Sequence, residues 1–570
     1  MKVWQSKWVR LGLSFILSAN FAFAGENPPK ALKRAQAPVE IKVKTWGPTQ
    51  TEVDRAKNRV EQSAAVQNAL KGAKYRLVLF DYIESQSEKS QPSAQPTRFR
   101  VVFYDYTNDR TFVAEGDFAG FEKITVRREN FEPGVAAEEF RDAIEVIKKD
   151  VKLGALFKEG KLKIFDAMPA ISNLNGERLV NVGVRFVSED ENLVVGVSFK
   201  NEKVIRYEGN APPTSLAAPE TCGIPSAGQS YTPNGLSGQY QLSVTQNGTA
   251  LWEMLVIRPS SSSGNPNERS GIEVRDVKYK GKSVLKRGHV PVLNVQYAGD
   301  VCGPYRDWQY NEGMFDAPEE GAENPAPGIR ILAPGKIART AIETGNDLGN
   351  FLGVAVYRQD VGFGMETVLV SEMNAGWYRY IMEWRFAPDG TIRPRYGFGS
   401  TNNSCVCTAH NHHAYWRFDF DIVKPANNIF QIERGRKFMQ PVTTEVTRTK
   451  NYATNRGFLI QNSGGDEAYM LMPNLGDHVT DAFGGGDFWF LQYKGTGAVP
   501  DELDDPNANI AANFSPWVNG ESLINKDIVV WYAAHYIHEA GDDHLVNPDN
   551  AIEVLSGSHT VGPNLRPVRW

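Results

Sequence analysis

The sequence predicts α+β N-terminal domains followed by a large antiparallel β-sandwich, and three features of its 570 residues support that fold class. From about residue 237 onward, short segments of alternating polar and apolar residues follow one another with almost no helical periodicity, which is typical of a sandwich. Before that point, two helical segments each precede several alternating segments. The 51 Gly and 32 Pro supply the many turns that a strand-rich chain needs.

The first 24 residues have the pattern of a secretory signal peptide. Three basic residues among the first ten precede an apolar run at 11–23, which ends at the cleavage-site pattern Ala22-Phe23-Ala24. This run is too short to span a bilayer, and no later segment reaches the ~18 apolar residues that a span needs. We therefore expect a periplasmic or secreted protein without membrane insertion.

The two α+β units are predicted at residues 25–125 and 126–210. Apolar residues at helical spacing between Glu52 and Lys71 begin the first unit, and a second helix starts at Glu138. One larger α+β domain is the alternative. A Pro-, Gly- and Ser-rich linker at 211–236 then leads to the β-sandwich at 237–570.

The charge balance excludes one class of function. Lys and Arg number 62 and Asp and Glu number 67, for a net charge of −5. No basic excess is available to meet phosphates, so we expect no nucleic-acid partner.

The four cysteines are Cys222, Cys302, Cys405 and Cys407. In an oxidising compartment they can form up to two disulfides, in any of three connectivities. The alternative for Cys405 and Cys407 is a pair of free thiolates, which are soft metal ligands.

The histidines point to the part of the chain that carries the chemistry, because eight of the nine follow residue 400. His410 and His412 stand two residues apart, so on a strand both side chains point to the same face. The apolar segment after Asp527 offers a third imidazole at His538. Three imidazoles with open positions suit copper, zinc or iron, whereas surface histidines beside a turn are the alternative.

These segments resemble the copper amine oxidase family. Asp527-Ile-Val-Val-Trp531 followed by His538 is similar to the family's last metal-ligand segment, and His410-Asn-His412 resembles its His-Gln-His pair. The family also has two α+β domains before a β-sandwich, so the resemblance covers most of the mature chain. It implies a copper ion bound by His410, His412 and His538.

The resemblance implies a second, structural cation as well, calcium or manganese. Asp419 and Asp527 match the residues that hold it, and carboxylates suit a hard cation of that kind. The alternative is that both are surface or capping acids.

The family's catalytic base lies in Phe-Asp-x-Gly-Glu-Tyr. Here residues 315–320 keep the Phe-Asp and the Glu, but Pro318 replaces the Gly and Glu320 replaces the Tyr. The resemblance thus makes Asp316 the general base that takes a proton from the carbon next to the substrate nitrogen, with Glu312 as a competing candidate. Tyr297 matches the tyrosine that hydrogen bonds the cofactor.

The family oxidises one of its own tyrosines to topaquinone. Tyr378 stands at the position of the precursor, and Tyr380 and Trp384 keep their places, but Trp377 replaces an asparagine and Arg379 replaces an acid. An indole cannot supply the amide contacts of asparagine. An arginine beside the ring either favours an ionised oxygen there or repels an ammonium substrate. Tyr378 is therefore a candidate topaquinone precursor, with an unmodified packed aromatic as the alternative.

The resemblance implies oxidative deamination of a primary amine to an aldehyde with O2, releasing ammonia and hydrogen peroxide, in a homodimer. One alternative is a divergent copper protein that lacks the quinone and oxidises another substrate. Another is a periplasmic copper-binding protein without turnover, for which free thiolates at Cys405 and Cys407 would be the best argument. Asp316 and Tyr297 argue against a copper store, which has no use for a buried base.

Overall fold

The computed structural model describes residues 39–83, 91–187, 191–207, 223–226, 232–263, 269–297, 305–361, 364–401, 403–478, 486–494, 514–538, 545–546, 553–554 and 558–570. The predicted signal peptide at 1–24 lies outside these residues. The described chain from Val39 onward forms one compact unit. The boundaries between the proposed domains stay predictions.

The first helical segment is two helices and not one. Thr49 caps the first helix in a capping box with Glu52, and its buried face consists of Val53, Ala56 and Val60. The Ser63 side chain accepts from the Val66 N–H and so starts a second helix inside the stretch where one helix was predicted. A four-stranded sheet follows. These elements, with the strand that precedes them, are β1 (Val39–Thr45), α1 (Gln50–Glu61), α2 (Ala64–Ala69), β2 (Tyr75–Ile83), β3 (Arg98–Asp105), β4 (Arg110–Asp117) and β5 (Gly120–Glu129).

The second cycle repeats this arrangement of helices before a four-stranded sheet. The predicted helix near Glu138 is present and buries Phe140, Ala143 and Ile147 at helical spacing. The elements are α3 (Ala137–Lys149), α4 (Leu153–Lys158), β6 (Leu162–Leu174), β7 (Glu177–Phe186), β8 (Glu191–Ser198) and β9 (Lys203–Arg206).

The C-terminal part consists almost entirely of strands. They are β10 (Gln239–Gln246), β11 (Thr249–Ile257), β12 (Glu273–Tyr279), β13 (Lys282–Tyr297), β14 (Tyr305–Arg306), β15 (Glu323–Ala326), β16 (Ile329–Ile331), β17 (Val354–Asp360), β18 (Met365–Ala375), β19 (Tyr378–Phe386), β20 (Ile392–Ser400), β21 (His410–Phe420), β22 (Asn427–Ile432), β23 (Gln440–Val442), β24 (Val446–Arg448), β25 (Gly457–Asn462), β26 (Ala468–Met472), β27 (Phe488–Gln492), β28 (Ile528–His538), β29 (Leu545–Val546), β30 (Glu553–Val554), β31 (Ser558–Val561) and β32 (Asn564–Arg569), with the short α5 (Ala341–Thr344) after β16.

Two large, mainly antiparallel sheets pack face to face. One has the order β1-β10-β11-β12-β13-β21-β28-β27-β24, and the other runs β15-β16-β17-β18-β19-β20-β32-β26-β25-β22-β23. Aromatic side chains fill the layer between them, as where Trp384 of β19 meets Trp416 of β21 edge to face at 5.4 Å. The predicted fold class, α+β elements before a large antiparallel β-sandwich, is confirmed. Among the described residues, no helix combines the length and the apolarity needed to cross a bilayer.

Candidate metal centre and the tyrosine beside it

Strands β21 and β28 bring the three predicted histidines together. His410 lies directly opposite His538 in the antiparallel ladder, and His412 follows on the same face of β21. Their ring nitrogens lie within 4.8 Å of one another, and all three side chains are buried. The ring centroid of His410 lies 4.8 Å from that of His412 and 4.6 Å from that of His538.

The hydrogen bonding of this cluster suits a metal ion. His410 Nδ1 lies 2.6 Å from the carbonyl oxygen of Thr408, which fixes the ring and leaves Nε2 with its lone pair. Among the described residues, neither this Nε2 nor either ring nitrogen of His412 has a hydrogen-bond partner. Burial, together with the neighbouring imidazoles, holds the pKa of both rings well below the usual range. Neutral imidazoles that converge in a buried site fit copper or zinc.

Tyr378 lies against this cluster. Its ring centroid is 4.9 Å from that of His412 and 5.9 Å from that of His410. Ala375 and Tyr378 form the last pair of the β18–β19 hairpin, and Gly376 takes φ +59° at the first position of the two-residue turn, as glycine does readily. The turn thus starts β19 so that Tyr378 points into the layer between the sheets, where burial raises its pKa well above the usual value.

Tyr297, at the end of β13, joins the same group. Its hydroxyl contacts the hydroxyl of Tyr378, and its ring stacks on His410 with centroids 4.8 Å apart. The structure therefore brings together five of the residues singled out in the sequence, namely Tyr297, Tyr378, His410, His412 and His538.

The two substitutions beside Tyr378 behave differently from the sequence expectation. The Trp377 indole does supply a polar contact, since its N–H donates to the Tyr297 hydroxyl at 3.1 Å. Arg379 does not face the Tyr378 ring, because adjacent residues of a strand point to opposite faces. Its guanidinium pairs with Asp347, with Nη2 2.9 Å from Oδ2, so its charge is neutralised behind the sheet.

The neighbours of Asp316 in the chain pack on the face of β19 opposite Tyr378. These neighbours, Phe315 and Ala317, lie in a separate core cluster with Ile381, which is on that face of β19. The carboxylate of Asp316 is about one-third exposed and accepts from Arg339 Nη2 at 3.0 Å.

Glu312 is buried, but its carboxylate already has charged partners. Arg258 Nε donates to Oε1 at 2.8 Å, and Arg258 Nη2 donates to Oε2. A buried carboxylate that sequence reasoning missed, Asp307, accepts from the hydroxyl of Tyr380, whose ring stacks on Tyr378 at 5.2 Å. No sequence signal identified Asp307, since the contact joins residues far apart in the chain.

The predicted second-cation residues form a carboxylate cluster, with one addition. Oxygen atoms of Asp419, Asp421 and Asp527 lie within 4.8 Å of one another. Asp421 stands two residues after Asp419, so strand alternation places both on one face. The two-residue spacing in the sequence could therefore have identified Asp421 as the third member of the cluster. Arg417 Nη2 lies 3.7 Å from Asp419 Oδ2.

Cys405 and Cys407 are both disulfide-bonded. The interpretation as free, copper-binding thiolates is therefore wrong for this structure, and the disulfide alternative holds. Cys222 and Cys302 lie outside the described residues, so the connectivity stays open. His413 and His535 pair with each other on the opposite face of β21 and β28, Nδ1 to Nδ1 at 2.6 Å, away from the three-histidine cluster.

Glu372, on the outer face of β18, gives the fold a pH dependence. It accepts from the Ala341 N–H at 2.7 Å, and burial raises its pKa to about 8 from 4.5. The stability contributed by its neutral form is complete below the unfolded pKa and is lost as the pH rises through about 8. We expect the free energy of unfolding to fall between about pH 5 and about pH 8, by roughly 1.4 kcal/mol per pH unit well inside that window, and to fall less in Glu372→Gln. Urea unfolding at both pH values measures this, and equal losses in the two proteins would contradict it.

Together, the fold and the site define a β-sandwich protein with a buried three-histidine centre next to a tyrosine. Solved structures of amine oxidases share this fold. The chain is similar to a copper-containing benzylamine oxidase from Hansenula polymorpha, at 13% identity and TM-score 0.57, over 91% of this chain and 96% of that one. It is similar to the amine oxidase of Aspergillus nidulans, at 15% identity and TM-score 0.54, over 95% of this chain and 90% of that one. It is also similar to the lysyl oxidase of Pichia pastoris, at 12% identity and TM-score 0.54, over 92% of this chain and 90% of that one.

No protein-family model and no curated protein matches the sequence. At identities of 12 to 15%, the structural likeness establishes the fold. The chain thus has the copper amine oxidase fold, and the resemblance noted in the sequence is confirmed at that level.

Proposed function

We propose that the protein is a copper-dependent oxidase that deaminates a primary amine to an aldehyde and releases ammonia and hydrogen peroxide. The observation that carries the proposal is the position of Tyr378, whose ring lies 4.9 Å from that of His412 inside the buried three-histidine cluster. A tyrosine held against a copper ion is placed for oxidation to topaquinone. The amine oxidase fold supports the same reaction class.

Copper would supply the oxygen chemistry that converts Tyr378 to the quinone, and the quinone would take two electrons from the amine and pass them to O2. The chain's own residues would hold the metal and orient residue 378. His410, His412 and His538 offer the metal three imidazoles, and Tyr297 hydrogen bonds the oxygen of residue 378. Burial of the Tyr378 ring excludes water from it.

The proton acceptor of the reaction has two candidates. Asp316 is supported by the motif that it shares with the family, and Asp307 is supported by its contact with Tyr380. For the carboxylate cluster of Asp419, Asp421 and Asp527 we propose a structural calcium or manganese ion, because oxygen ligands suit hard cations. From the signal-peptide pattern of residues 1–24 we also propose a periplasmic or secreted location, and from the resemblance a homodimer.

A copper oxidase without the quinone is the second candidate. The observation that favours it is the burial of Tyr378, which raises the pKa of the phenol and disfavours the ionised form. A copper store with free thiolates loses its main support, since Cys405 and Cys407 are in disulfides.

Oxygen uptake tests the proposal. Copper-reconstituted mature protein is expected to consume O2 and form hydrogen peroxide and aldehyde with members of a primary-amine panel, whereas Tyr378→Phe is expected to be inactive. Tyr396→Phe is the matched control, because it removes another buried hydroxyl of the same core, which donates to Gln309. Turnover in Tyr378→Phe would favour the quinone-free oxidase, and no turnover with any amine in the wild type would contradict the proposal.

A further inference from the structure

The ring of His412 is held differently from that of His410. A contact with the carbonyl oxygen of Thr408 orients the His410 ring, which is the usual way in which a metal-binding histidine is fixed. Within the described part of the chain, by contrast, neither ring nitrogen of His412 has a hydrogen-bond partner. The orientation of the His412 ring therefore depends on its packing.

Three aromatic rings pack around His412. The Phe398 ring stacks on its face, with centroids 4.5 Å apart and planes 19° apart. The rings of Tyr378 and Tyr380 meet it edge to face, at 4.9 Å and 5.9 Å. Stacked and edge-to-face contacts are the two arrangements that aromatic pairs prefer. The four side chains are no more than 1% exposed, and such a close-packed interior leaves the imidazole little room to turn.

Phe398 reaches His412 from the opposite sheet. His412 and Tyr536 are a cross-strand pair of β21 and β28, and Phe398 lies on β20 of the facing sheet. The Phe398 ring is also parallel to the ring of Tyr536 within 4°, with centroids 5.6 Å apart. Because Phe398 stacks on both members of this pair, its own orientation is fixed as well.

The plane of the imidazole matters for metal binding, because the lone pair of a ring nitrogen lies in that plane. A ligand side chain that is already oriented loses less conformational freedom when it binds. We infer that Phe398 is a positioning residue that fixes the plane of the His412 ring in the metal centre. This inference rests on the proposed function for the identity of the ion, which is copper.

The first arm of the test uses copper-free protein. In protein labelled with ¹³C-histidine, the ring resonances that disappear in His412→Ala belong to His412. We expect Phe398→Leu to move these resonances downfield, because leucine keeps an apolar side chain at this position but has no ring current to shield the imidazole. Unchanged His412 resonances in Phe398→Leu would overturn the inference.

The second arm follows copper binding. We expect Phe398→Leu to bind copper about 10- to 100-fold more weakly than the wild type, as for the loss of an outer partner of a metal ligand. The hyperfine splitting in the electron paramagnetic resonance spectrum of bound copper(II) is expected to change too, because it depends on how the nitrogen ligands are arranged. Equal affinity and an identical spectrum in the two proteins would overturn the inference.

Phe418→Leu is the matched control. Phe418 lies on β21, is 0% exposed and stacks on Trp416, so the same substitution removes a buried stacked ring from the same layer. This variant is expected to lose stability but to keep the copper affinity and the spectrum of the wild type. If Phe398→Leu does not fold, Phe398→Met, which also lacks a ring, takes its place in both arms.

The two arms separate the inference from the proposed function. If the wild type binds no copper, the proposed function fails, and the inference fails with it even where the first arm confirms the stacking. If the wild type binds copper and Phe398→Leu binds it equally well with the same spectrum, the proposed function stands and the role of Phe398 is refuted.

Discussion

Copper binding is expected to weaken by more than about 100-fold when His412 is replaced by alanine. Loss of an outer partner of a metal ligand already costs about 10- to 100-fold in affinity, and His412→Ala removes a ligand itself. Both ring nitrogens of His412 lack a hydrogen-bond partner among the described residues, so the side chain has no evident structural bond to lose. Competition against a chromophoric chelator measures the dissociation constant.

His413→Gln is the matched control, because His413 is the next residue and is equally buried but points to the other face of β21. It loses the bond to His535 and is expected to lose stability while it keeps its copper affinity. Circular dichroism of both variants would establish that each is folded. Undiminished copper affinity in folded His412→Ala would contradict the assignment of the site.

Replacing Asp347 by alanine is expected to destabilise the protein by about 3–5 kcal/mol, the usual cost of leaving a buried charge without its partner. Arg379 is 1% exposed, and Asp347 supplies two of its hydrogen bonds. The same guanidinium also donates to the carbonyl oxygen of Tyr378. Loss of the Asp347 carboxylate is therefore expected to perturb the start of β19 as well. Urea unfolding of the copper-free protein measures the effect.

The double variant Asp347→Leu/Arg379→Met provides the control. Replacing both charges by apolar side chains of similar volume removes the unpaired charge and is expected to recover most of the loss. A loss below about 1 kcal/mol in Asp347→Ala, in the range of an exposed ion pair, would show that Arg379 reaches solvent and would contradict the buried pair.

The part of the site that follows strand periodicity could be predicted from the sequence. The spacing of His410 and His412 is enough to place both on one face, and the segment after Asp527 supplied the third imidazole. The register that sets His410 opposite His538 is a property of the folded sheet. The same alternation could also have placed Asp421 beside Asp419, and could have shown that Arg379 points away from the ring of Tyr378.

The rest depends on contacts between residues that are distant in sequence. The Trp377 indole reaches Tyr297 across 80 positions, and Glu312 meets Arg258 across 54. No local pattern encodes such pairs. Asp316 was assigned from a motif that is only partly retained, and this motif does not encode the face of the sheet on which the neighbours Phe315 and Ala317 pack. In the first unit, a single polar residue, Ser63, divides the predicted helix because its side chain caps a new one.

Topaquinone formation at Tyr378 is tested most directly on the peptide that contains this residue. Copper and O2 are added to the copper-free mature protein, with Tyr378→Phe alongside, and the peptide is examined by mass spectrometry and by a redox-cycling stain. We expect a peptide that gains two oxygens and loses two hydrogens, stains as a quinone and is absent from the mutant. An unmodified Tyr378 in fully copper-loaded wild type would contradict the proposed quinone.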